Sequence, residues 1–199
     1  MIKGFETMRV IFAALIVVLG AAGAWLGYEI YRQSAVTSKE PYGVAFNLID
    51  QDGQPISEEA FRGHLTAIFF GFTHCPEICP TTLYEMNGWF EALGDEGKNI
   101  KAYFITIDPE RDGPEILGDY ISSVTDRVRG ITGDPEAVRK MARGFNIYFK
   151  RIDTSDGDYT MDHTASVILL DSKGRFRKTI AFGENTESAI QKLRDLAKT

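Results

Sequence analysis

The hydrophobic pattern begins with a long apolar stretch, since residues 10–28 hold 19 consecutive positions without a charged side chain. A helix of this length spans about 28 Å, which is close to the hydrocarbon thickness of a bilayer. Lys3 and Arg9 precede the stretch, and basic residues favour the cytoplasmic side of a membrane. The pattern therefore predicts a single transmembrane helix over residues 10–28.

This anchor divides the chain into a cytoplasmic tail (residues 1–9), the membrane segment, a polar linker (residues 29–41) and one domain (residues 42–199). A cleaved signal peptide is the alternative, because Ala22 and Ala24 form a small-x-small site. The apolar stretch is long for a signal peptide, so we favour an uncleaved anchor. The short tail leaves no room for an Arg-rich presequence, and we therefore expect a bacterial inner-membrane protein whose domain lies in the periplasm.

Beyond residue 42, segments with the hydrophobic pattern of a β-strand alternate with segments that have the period of an amphipathic helix. Residues 65–70 form a short run that is almost entirely apolar, which is typical of a strand buried on both faces of a parallel sheet. Residues 80–93 follow with the period of an amphipathic helix. Their apolar side chains recur at spacings of three and four residues, at Leu83, Met86, Phe90 and Leu93.

The rest of the domain continues this alternation of strands and helices. Strands are predicted at residues 44–48, 65–70, 100–107, 127–131, 147–152, 165–170 and 176–181, and helices at 80–93, 114–124, 135–143 and 186–197. Such alternation indicates an α/β fold with a parallel sheet, and the final hairpin adds antiparallel strands. The layout is thioredoxin-like, with an extra N-terminal β-hairpin and an inserted polar loop (residues 153–162) before the final β-hairpin.

Charge and cysteine content narrow the function. The net charge is −6, and no Lys/Arg cluster interrupts the acidic sequence, so nucleic acid is a poor partner. The chain has only two cysteines, Cys75 and Cys79, and a disulfide-stapled scaffold would need more of them, widely spread. Two close thiols instead indicate redox chemistry or metal binding.

Both cysteines lie where the buried strand meets the next helix. Ligands of open α/β sheets bind at the carboxyl ends of the parallel strands. Cys79 follows Cys75 by about one helical turn, so both sulfurs can point the same way, and a helix N-terminus favours thiolates. The pair fits a soft-metal site or a redox dithiol, while a plain disulfide or two reduced core cysteines are the alternatives.

Of the three histidines, His163 is the candidate ligand. It immediately precedes the strand at residues 165–170, which we expect to run antiparallel to the strand at residues 65–70. The start of one strand then lies beside the carboxyl end of the other, and the imidazole approaches the thiols. His64 is expected at the far end of the buried strand, and the side chain of His74 should point away from the sulfurs. The alternative for His163 is a surface position on the polar loop.

Two thiolates and an imidazole form a soft, three-coordinate ligand set. Cu(I) accepts such a set, and Cu(II) can use it with one added ligand, so we expect one copper ion per chain. Structural zinc usually takes a fourth protein ligand. Asp162 could supply that fourth ligand, which leaves zinc disfavoured rather than excluded.

Three motifs resemble the Sco/SenC family, and the resemblance covers about residues 46–196. Residues 71–83 (GFTHCPEICPTTL) are similar to the highly specific signature of this family, and residues 108–112 (DPERD) and 162–165 (DHTA) resemble its second and third motifs. The family usually carries Asp where this chain has Glu77, a conservative change that should not disturb the site.

The resemblance implies a copper chaperone that is not an enzyme. The family delivers copper to the binuclear copper centre of cytochrome c oxidase, so the implied partners are the copper-bearing oxidase subunit and an upstream copper donor. The implied ligands are Cys75, Cys79 and His163, in a domain held outside the cytoplasm by a membrane anchor. An accessory role in reducing the acceptor's cysteines is compatible with this function.

Asp108 and Arg111 follow a predicted parallel strand and should lie near the same cleft. They would act as accessory residues that shape the copper site or dock a partner. The alternative is structural, because Asp before Pro is common where a loop begins.

The main competing function is a membrane-anchored periplasmic thiol-disulfide oxidoreductase. Such enzymes usually space their cysteines as Cys-x-x-Cys, whereas Cys75 and Cys79 have three residues between them. No proline follows Pro135, so the cis-proline of thioredoxin-like reductases is missing. A peroxidase is less compatible, because Phe72 and Pro76 stand three positions before the cysteines, where Thr would be expected. A redox sensor with a reversible Cys75–Cys79 disulfide is the remaining alternative.

Overall fold

The computed structural model describes residues 14–28 and 40–198. The chain divides into two compact units, Met1–Thr37 and Ser38–Thr199. In the first unit residues 14–28 are helical. Over both described ranges, no helix combines the length and hydrophobicity needed to cross a membrane. The tail, residues 10–13 of the expected anchor and most of the linker lie outside the described residues, and the membrane anchor stays a prediction.

The described part of the second unit is an α/β domain. Its strands are β1 (Asn47–Asp50), β2 (Pro55–Ser57), β3 (Leu65–Gly71), β4 (Ile100–Thr106), β5 (Val128–Thr132), β6 (Phe149–Asp153), β7 (Tyr159–His163), β8 (Ser166–Leu170) and β9 (Phe176–Ala181). Its helices are α1 (Ile78–Leu93), α2 (Pro114–Ser122), α3 (Pro135–Gly144) and α4 (Thr186–Ala197), with 3₁₀ turns at Glu58–Phe61 and Gly94–Gly97.

Seven strands form one sheet in the order β2-β1-β5-β4-β3-β8-β9. The three central strands β3, β4 and β5 are parallel, and β1 and β8 join them in antiparallel directions. The centre of the sheet is buried on both faces, as the apolar run at residues 65–70 predicted, and Phe69, Phe70 and Phe104 have no exposed surface. The predicted N-terminal hairpin is confirmed by the pairing of β1 with β2.

The register of the central strands fixes where a site can form. Gly71 at the end of β3 pairs with Thr106 at the end of β4, so both strands end at the same edge of the sheet. Phe69 pairs with Val167, and β8 therefore starts close to this carboxyl edge. The predicted antiparallel direction of β8 is confirmed, and the segment just before β8 reaches the mouth of the parallel strands.

Two predictions about the segment before β8 are wrong. The supposed loop at residues 153–162 is a loop only over residues 154–158, because Tyr159–His163 is a strand that pairs with Phe149–Asp153. The strand at residues 147–152 does not extend the main sheet either, since β6 and β7 form a separate two-stranded sheet. Most side chains of this hairpin are solvated, so its sequence is polar and resembles that of a loop. Phe149 and Met161 are the side chains that pack against the core.

Candidate metal centre

Cys75, Cys79 and His163 meet at the carboxyl edge of the sheet. Cys75 lies in the connection after β3, Cys79 in the first turn of α1 and His163 at the end of β7. One ligand atom from each residue lies within 4.8 Å of the other two. The Nε2 atom of His163 is 3.6 Å from the Sγ of Cys79, and the Cys79 backbone N–H donates to the Sγ of Cys75 at 3.3 Å. The structure therefore brings together the three predicted ligands.

The close approach of α1 to the sheet depends on Gly71. A Cβ atom at this position would lie 2.9 Å from the Sγ of Cys79 and 2.8 Å from the ring of Phe104. These distances are shorter than ordinary contacts, and only glycine leaves room for the sulfur at the end of β3. Cys79 is consequently fully buried, whereas Cys75 keeps 9% of its surface exposed at the mouth of the site.

Hydrogen bonding orients the imidazole of His163. Its Nδ1 lies 3.0 Å from the backbone oxygen of Thr164, which can only accept, so Nδ1 carries the proton. In the neutral ring the lone pair of Nε2 then faces the sulfurs. The rings of Phe69 and Phe72 contact the imidazole edge to face, at centroid distances of 6.2 and 5.9 Å. This packing holds the ring in a ligating orientation, as partners behind a metal-binding histidine commonly do.

The two thiols differ in acidity because one donates to the other. The hydrogen bond from the Cys79 thiol lowers the pKa of Cys75 to about 4, against burial, which raises it. The backbone amides of Cys79 and Glu77 lower it further. The pKa of Cys79 is raised, because its proton is held by the sulfur of Cys75 and because it is buried. At neutral pH the metal-free pair therefore holds one thiolate and one thiol.

This asymmetry predicts an unusual pH profile for alkylation of Cys75. The thiolate is the nucleophile, so its rate constant with iodoacetamide should stay constant from pH 6 to 8 and fall about tenfold per unit below pH 4. Rates are measured on the metal-free, reduced chain by mass spectrometry of the Cys75 peptide. Cys79→Ala should move the midpoint upward, because alanine has no proton to donate to the Cys75 sulfur. A rate that still rises about tenfold per unit between pH 7 and 9 would contradict the assigned thiolate.

The other two histidines lie outside the ligand group. His74 is exposed, and its Nδ1 lies 3.1 Å from the Oγ1 of Thr73 and 4.0 Å from a carboxylate oxygen of Asp112. His64 stands at the opposite end of β3, where its ring contacts the backbone oxygen of Leu65. Both positions agree with the prediction that these side chains are not ligands.

Asp112 supports the site and was not singled out from the sequence. Its carboxylate is fully buried and accepts hydrogen bonds from the backbone N–H and the hydroxyl of Thr73 and from the hydroxyl of Thr106. Burial raises the pKa of Asp112, and these hydrogen bonds oppose that shift. Because Thr73 lies two residues before Cys75, these hydrogen bonds from Thr73 to Asp112 fix the start of the connection between β3 and α1 (residues 72–77), which contains Cys75. Its place in the motif at residues 108–112 was the available signal.

The three accessory candidates are not among the grouped ligands. Arg111 donates from Nε to Asp108 at 2.5 Å, and both side chains contact the β6–β7 hairpin rather than the sulfurs. Asp162 is exposed on β7, beside His163, and pairs in register with Lys150. The roles of these residues stay predictions.

The donor set fits a soft metal ion. Within residues 14–28 and 40–198, Cys75, Cys79 and His163 are the group of ligating side chains close enough to hold a metal. Two sulfurs and one imidazole nitrogen match the preferences of Cu(I), and no carboxylate adds the hard oxygen that Mg²⁺ or Ca²⁺ would need. The same two sulfurs are near enough to form a disulfide after a modest movement, so the site is also capable of redox chemistry.

Comparisons with known proteins agree with this geometry. A SCO2-like protein of Rickettsia typhi is 32% identical over 194 residues, which cover 94% of this chain and 96% of that protein. The structure of Bradyrhizobium japonicum ScoI with copper bound shares 39% identity and superposes with a TM-score of 0.72, covering 78% of this chain and 99% of that chain. Yeast Sco1 with copper bound shares 29% identity, with a TM-score of 0.73 over 80% of this chain and 90% of that chain.

The family assignment rests on most of the sequence. The model of the SCO1/SenC family matches residues 34–198, which include all three motifs quoted from the sequence. The predicted resemblance is confirmed, and so is the thioredoxin-like α/β fold. The chain is a member of the SCO1/SenC family.

Proposed function

We propose that this protein binds one copper ion through Cys75, Cys79 and His163 and delivers it to the binuclear copper centre of cytochrome c oxidase. The observation that carries the proposal is the convergence of two sulfurs and one imidazole nitrogen within 4.8 Å. The copper-bound ScoI and Sco1 structures support copper as the cargo. The oxidase as acceptor is the role that the family resemblance implies.

The position of the site suits transfer by ligand exchange. Cys79 is fully buried, Cys75 keeps 9% of its surface exposed and His163 is half-buried, so an acceptor can approach from the side of His163 and Cys75. An incoming thiolate or imidazole first adds to the copper ion and then displaces the ligands one at a time. A three-ligand set leaves coordination space for this addition, whereas a closed four-ligand site would not.

The redox state of the cysteines would control loading. Oxidation of the Cys75 and Cys79 thiolates to a disulfide removes two electrons and no protons, and a disulfide is a poor metal ligand. Because metal binding requires thiolates, an oxidant or a partner disulfide that takes up these electrons would release the ion. Copper affinity and thiol redox state are therefore coupled in this proposal.

A transfer experiment tests the proposed delivery. The copper-loaded full chain is mixed with the reduced, metal-free copper-bearing domain of the oxidase, and copper in each protein is measured after separation. We expect at least half of the copper to move to the acceptor within minutes, and faster than from an equal amount of copper–glutathione. Transfer no faster than from copper–glutathione would reject the chaperone role.

A thiol-disulfide reductase is the second candidate, favoured by the low pKa of the Cys75 thiolate and the adjacent Cys79 thiol. The same acceptor, with its cysteines oxidised, distinguishes the two functions. Multiple turnovers with a reductant and without copper would place reductase activity first. A single stoichiometric reduction would leave it an accessory to copper delivery.

We also propose the bacterial inner membrane as the location, with the domain in the periplasm. The apolar stretch at residues 10–28 and the basic Lys3 and Arg9 support this orientation. Protease added to intact spheroplasts should digest the domain, and full protection would contradict the proposed topology.

A further inference from the structure

The β6–β7 hairpin carries His163 but pairs with no strand of the seven-stranded sheet. Its two strands pair only with each other, and β6 is exposed along most of its length. Phe149 and Met161 provide its apolar contacts with the core. A two-stranded hairpin is marginally stable by itself. The position of His163 therefore needs additional contacts that hold the hairpin to the domain.

One such contact pins the end of the hairpin that is far from His163. The hydroxyl of Tyr159 donates to the Oδ1 of Asp108 at 2.8 Å, and Arg111 donates from Nη1 to the Tyr159 backbone oxygen at 2.9 Å. The Nη1 atom also lies 3.3 Å from a carboxylate oxygen of Asp158. Asp108, Arg111 and Tyr159 thus form a clasp between the connection after β4 and the start of β7.

The clasp is rigid on the domain side. The Nε of Arg111 donates to the Oδ2 of Asp108 at 2.5 Å, and the Asp108 backbone N–H donates to the buried hydroxyl of Thr106 at 2.9 Å. Asp108 is only 4% exposed. Charge-assisted bonds of this kind are short and directional, and partial burial strengthens them. The carboxylate therefore offers the hairpin a fixed point in the core.

Two arginines stack on the ring of Tyr159, but only one ties it to the domain. The guanidinium carbon of Arg111 is 3.6 Å from the ring centroid and that of Arg151 is 3.7 Å. Arg151 belongs to β6, has a side chain that is 53% exposed and pairs with Asp153 of the same strand. Removing Arg151 leaves both hydrogen bonds between hairpin and core intact, whereas removing Arg111 takes away the bond to the Tyr159 backbone oxygen and leaves only that between Tyr159 and Asp108.

The geometry of β7 connects the clasp to the metal site. Side chains in a strand alternate between faces, so Tyr159, Met161 and His163 share the face on which Met161 meets the core. Tyr159 and His163 are four residues apart, or about 13 Å along a strand. A clasp on Tyr159 thus sets the angle of the strand whose other end presents the imidazole.

We propose that Asp108 and Arg111 are positioning residues that clamp β7 and thereby hold His163 against the two thiols. The inference rests on the proposed copper function of the same site. Neither residue touches the ligand atoms, so both act through the hairpin. Breaking the clasp should loosen β6 and β7 together and weaken the imidazole ligand, while the cysteines keep their arrangement.

The test compares Arg111→Gln with Arg151→Gln in the full chain, because both changes remove one guanidinium from the same ring. Without metal, we expect amide hydrogen exchange in β6 and β7 to accelerate at least about tenfold in Arg111→Gln and less than about twofold in Arg151→Gln. Cu(I) affinity should fall at least about tenfold in Arg111→Gln only. In the Cu(II)-loaded form, nitrogen coupling in the electron paramagnetic resonance spectrum should weaken in the same variant.

Three results would overturn the clasp. These are unchanged exchange in Arg111→Gln, faster exchange with unchanged Cu(I) affinity, or equal effects of the two arginine variants. Should Arg111→Gln fail to fold, Tyr159→Phe decides the question, since it removes only the bond to Asp108. In Tyr159→Phe, amide hydrogen exchange should then be faster than in the wild type in β6 and β7 and unchanged elsewhere. Unchanged exchange in β6 and β7 would reject the proposal.

His163→Ala separates this inference from the proposed function. If His163→Ala binds Cu(I) as tightly as the wild type, the three-ligand site is wrong, and so is a role of the clasp in positioning a ligand. If His163→Ala weakens binding while Arg111→Gln leaves it unchanged, the copper site stands and only the clasp fails.

Discussion

Replacing Cys79 with serine should weaken Cu(I) binding at least about a thousandfold, which corresponds to about 4 kcal/mol. The soft thiolate sulfur is exchanged for a hydroxyl oxygen, which is a poor ligand for Cu(I). Serine is close to cysteine in size, and Cys79 is fully buried in the first turn of α1, so the fold should be retained. Competition with a chromophoric Cu(I) chelator on the reduced full chain measures the affinity.

The two histidines near the thiols provide a matched control for this prediction. His163→Ala should weaken Cu(I) binding at least about tenfold, because the Nε2 ligand is lost. His74 adjoins Cys75 in sequence but is exposed and directed towards Thr73 and Asp112. His74→Ala should therefore stay within about twofold of the wild type. Tight binding by Cys79→Ser would show that the metal lies elsewhere.

Asp171→Ala should have the second-largest effect, a loss of about 3 kcal/mol in the free energy of unfolding at pH 7. The buried carboxylate organises the turn between β8 and β9. It accepts hydrogen bonds from the backbone N–H groups of Lys173 and Arg175 and from the Nε atoms of Arg175 and Arg177. Alanine leaves these donors without their acceptor. Urea unfolding followed by circular dichroism measures the loss.

The effect of Asp171→Ala should depend on pH. Burial raises the pKa of Asp171, but the backbone and arginine hydrogen bonds outweigh it, and the net pKa lies below the usual 3.8. A carboxylate with a lowered pKa in the folded state contributes its full stability above the unfolded pKa. That contribution disappears as the pH falls through the folded pKa. The difference between wild type and Asp171→Ala should therefore be largest at pH 7 and shrink below pH 3.8.

Asp195 offers a control for the stability measurement. It forms an exposed ion pair with Lys178 of β9 at 2.9 Å. Exposed pairs contribute little to stability, so Asp195→Ala should leave the urea midpoint nearly unchanged. A difference between Asp171→Ala and wild type that does not vary from pH 7 to pH 3 would mean that the charge of Asp171 is not the stabilising feature.

Much of the fold was predictable because its signals are local. The apolar run at residues 65–70 predicted a strand buried on both faces, and the helical period predicted the helix that is α1 in the structure. The turn residues Asp171 and Gly174 predicted the hairpin of β8 and β9. In each case the pattern depends on residues close in sequence, whose periodicity reports which face is buried.

The β6–β7 hairpin was misread because its cause is not local. Its solvated strands carry polar side chains, and a polar run without periodicity is typical of a loop. What makes Tyr159–His163 a strand is its pairing with Phe149–Asp153 and the clasp from Asp108 and Arg111. Asp108 and Arg111 precede the start of β7 by about fifty positions in the sequence.

The sequence by itself determined the chemistry of the centre: two cysteines one helical turn apart at the mouth of a strand, and a histidine before a strand of opposite direction. It also determined the family, through motifs that are contiguous in the chain. Only the tertiary structure decided how the imidazole is held, which thiol is the acid and which carboxylate braces the loop. Ligand type is a property of single side chains, whereas distances, burial and shared protons arise only when remote segments pack together.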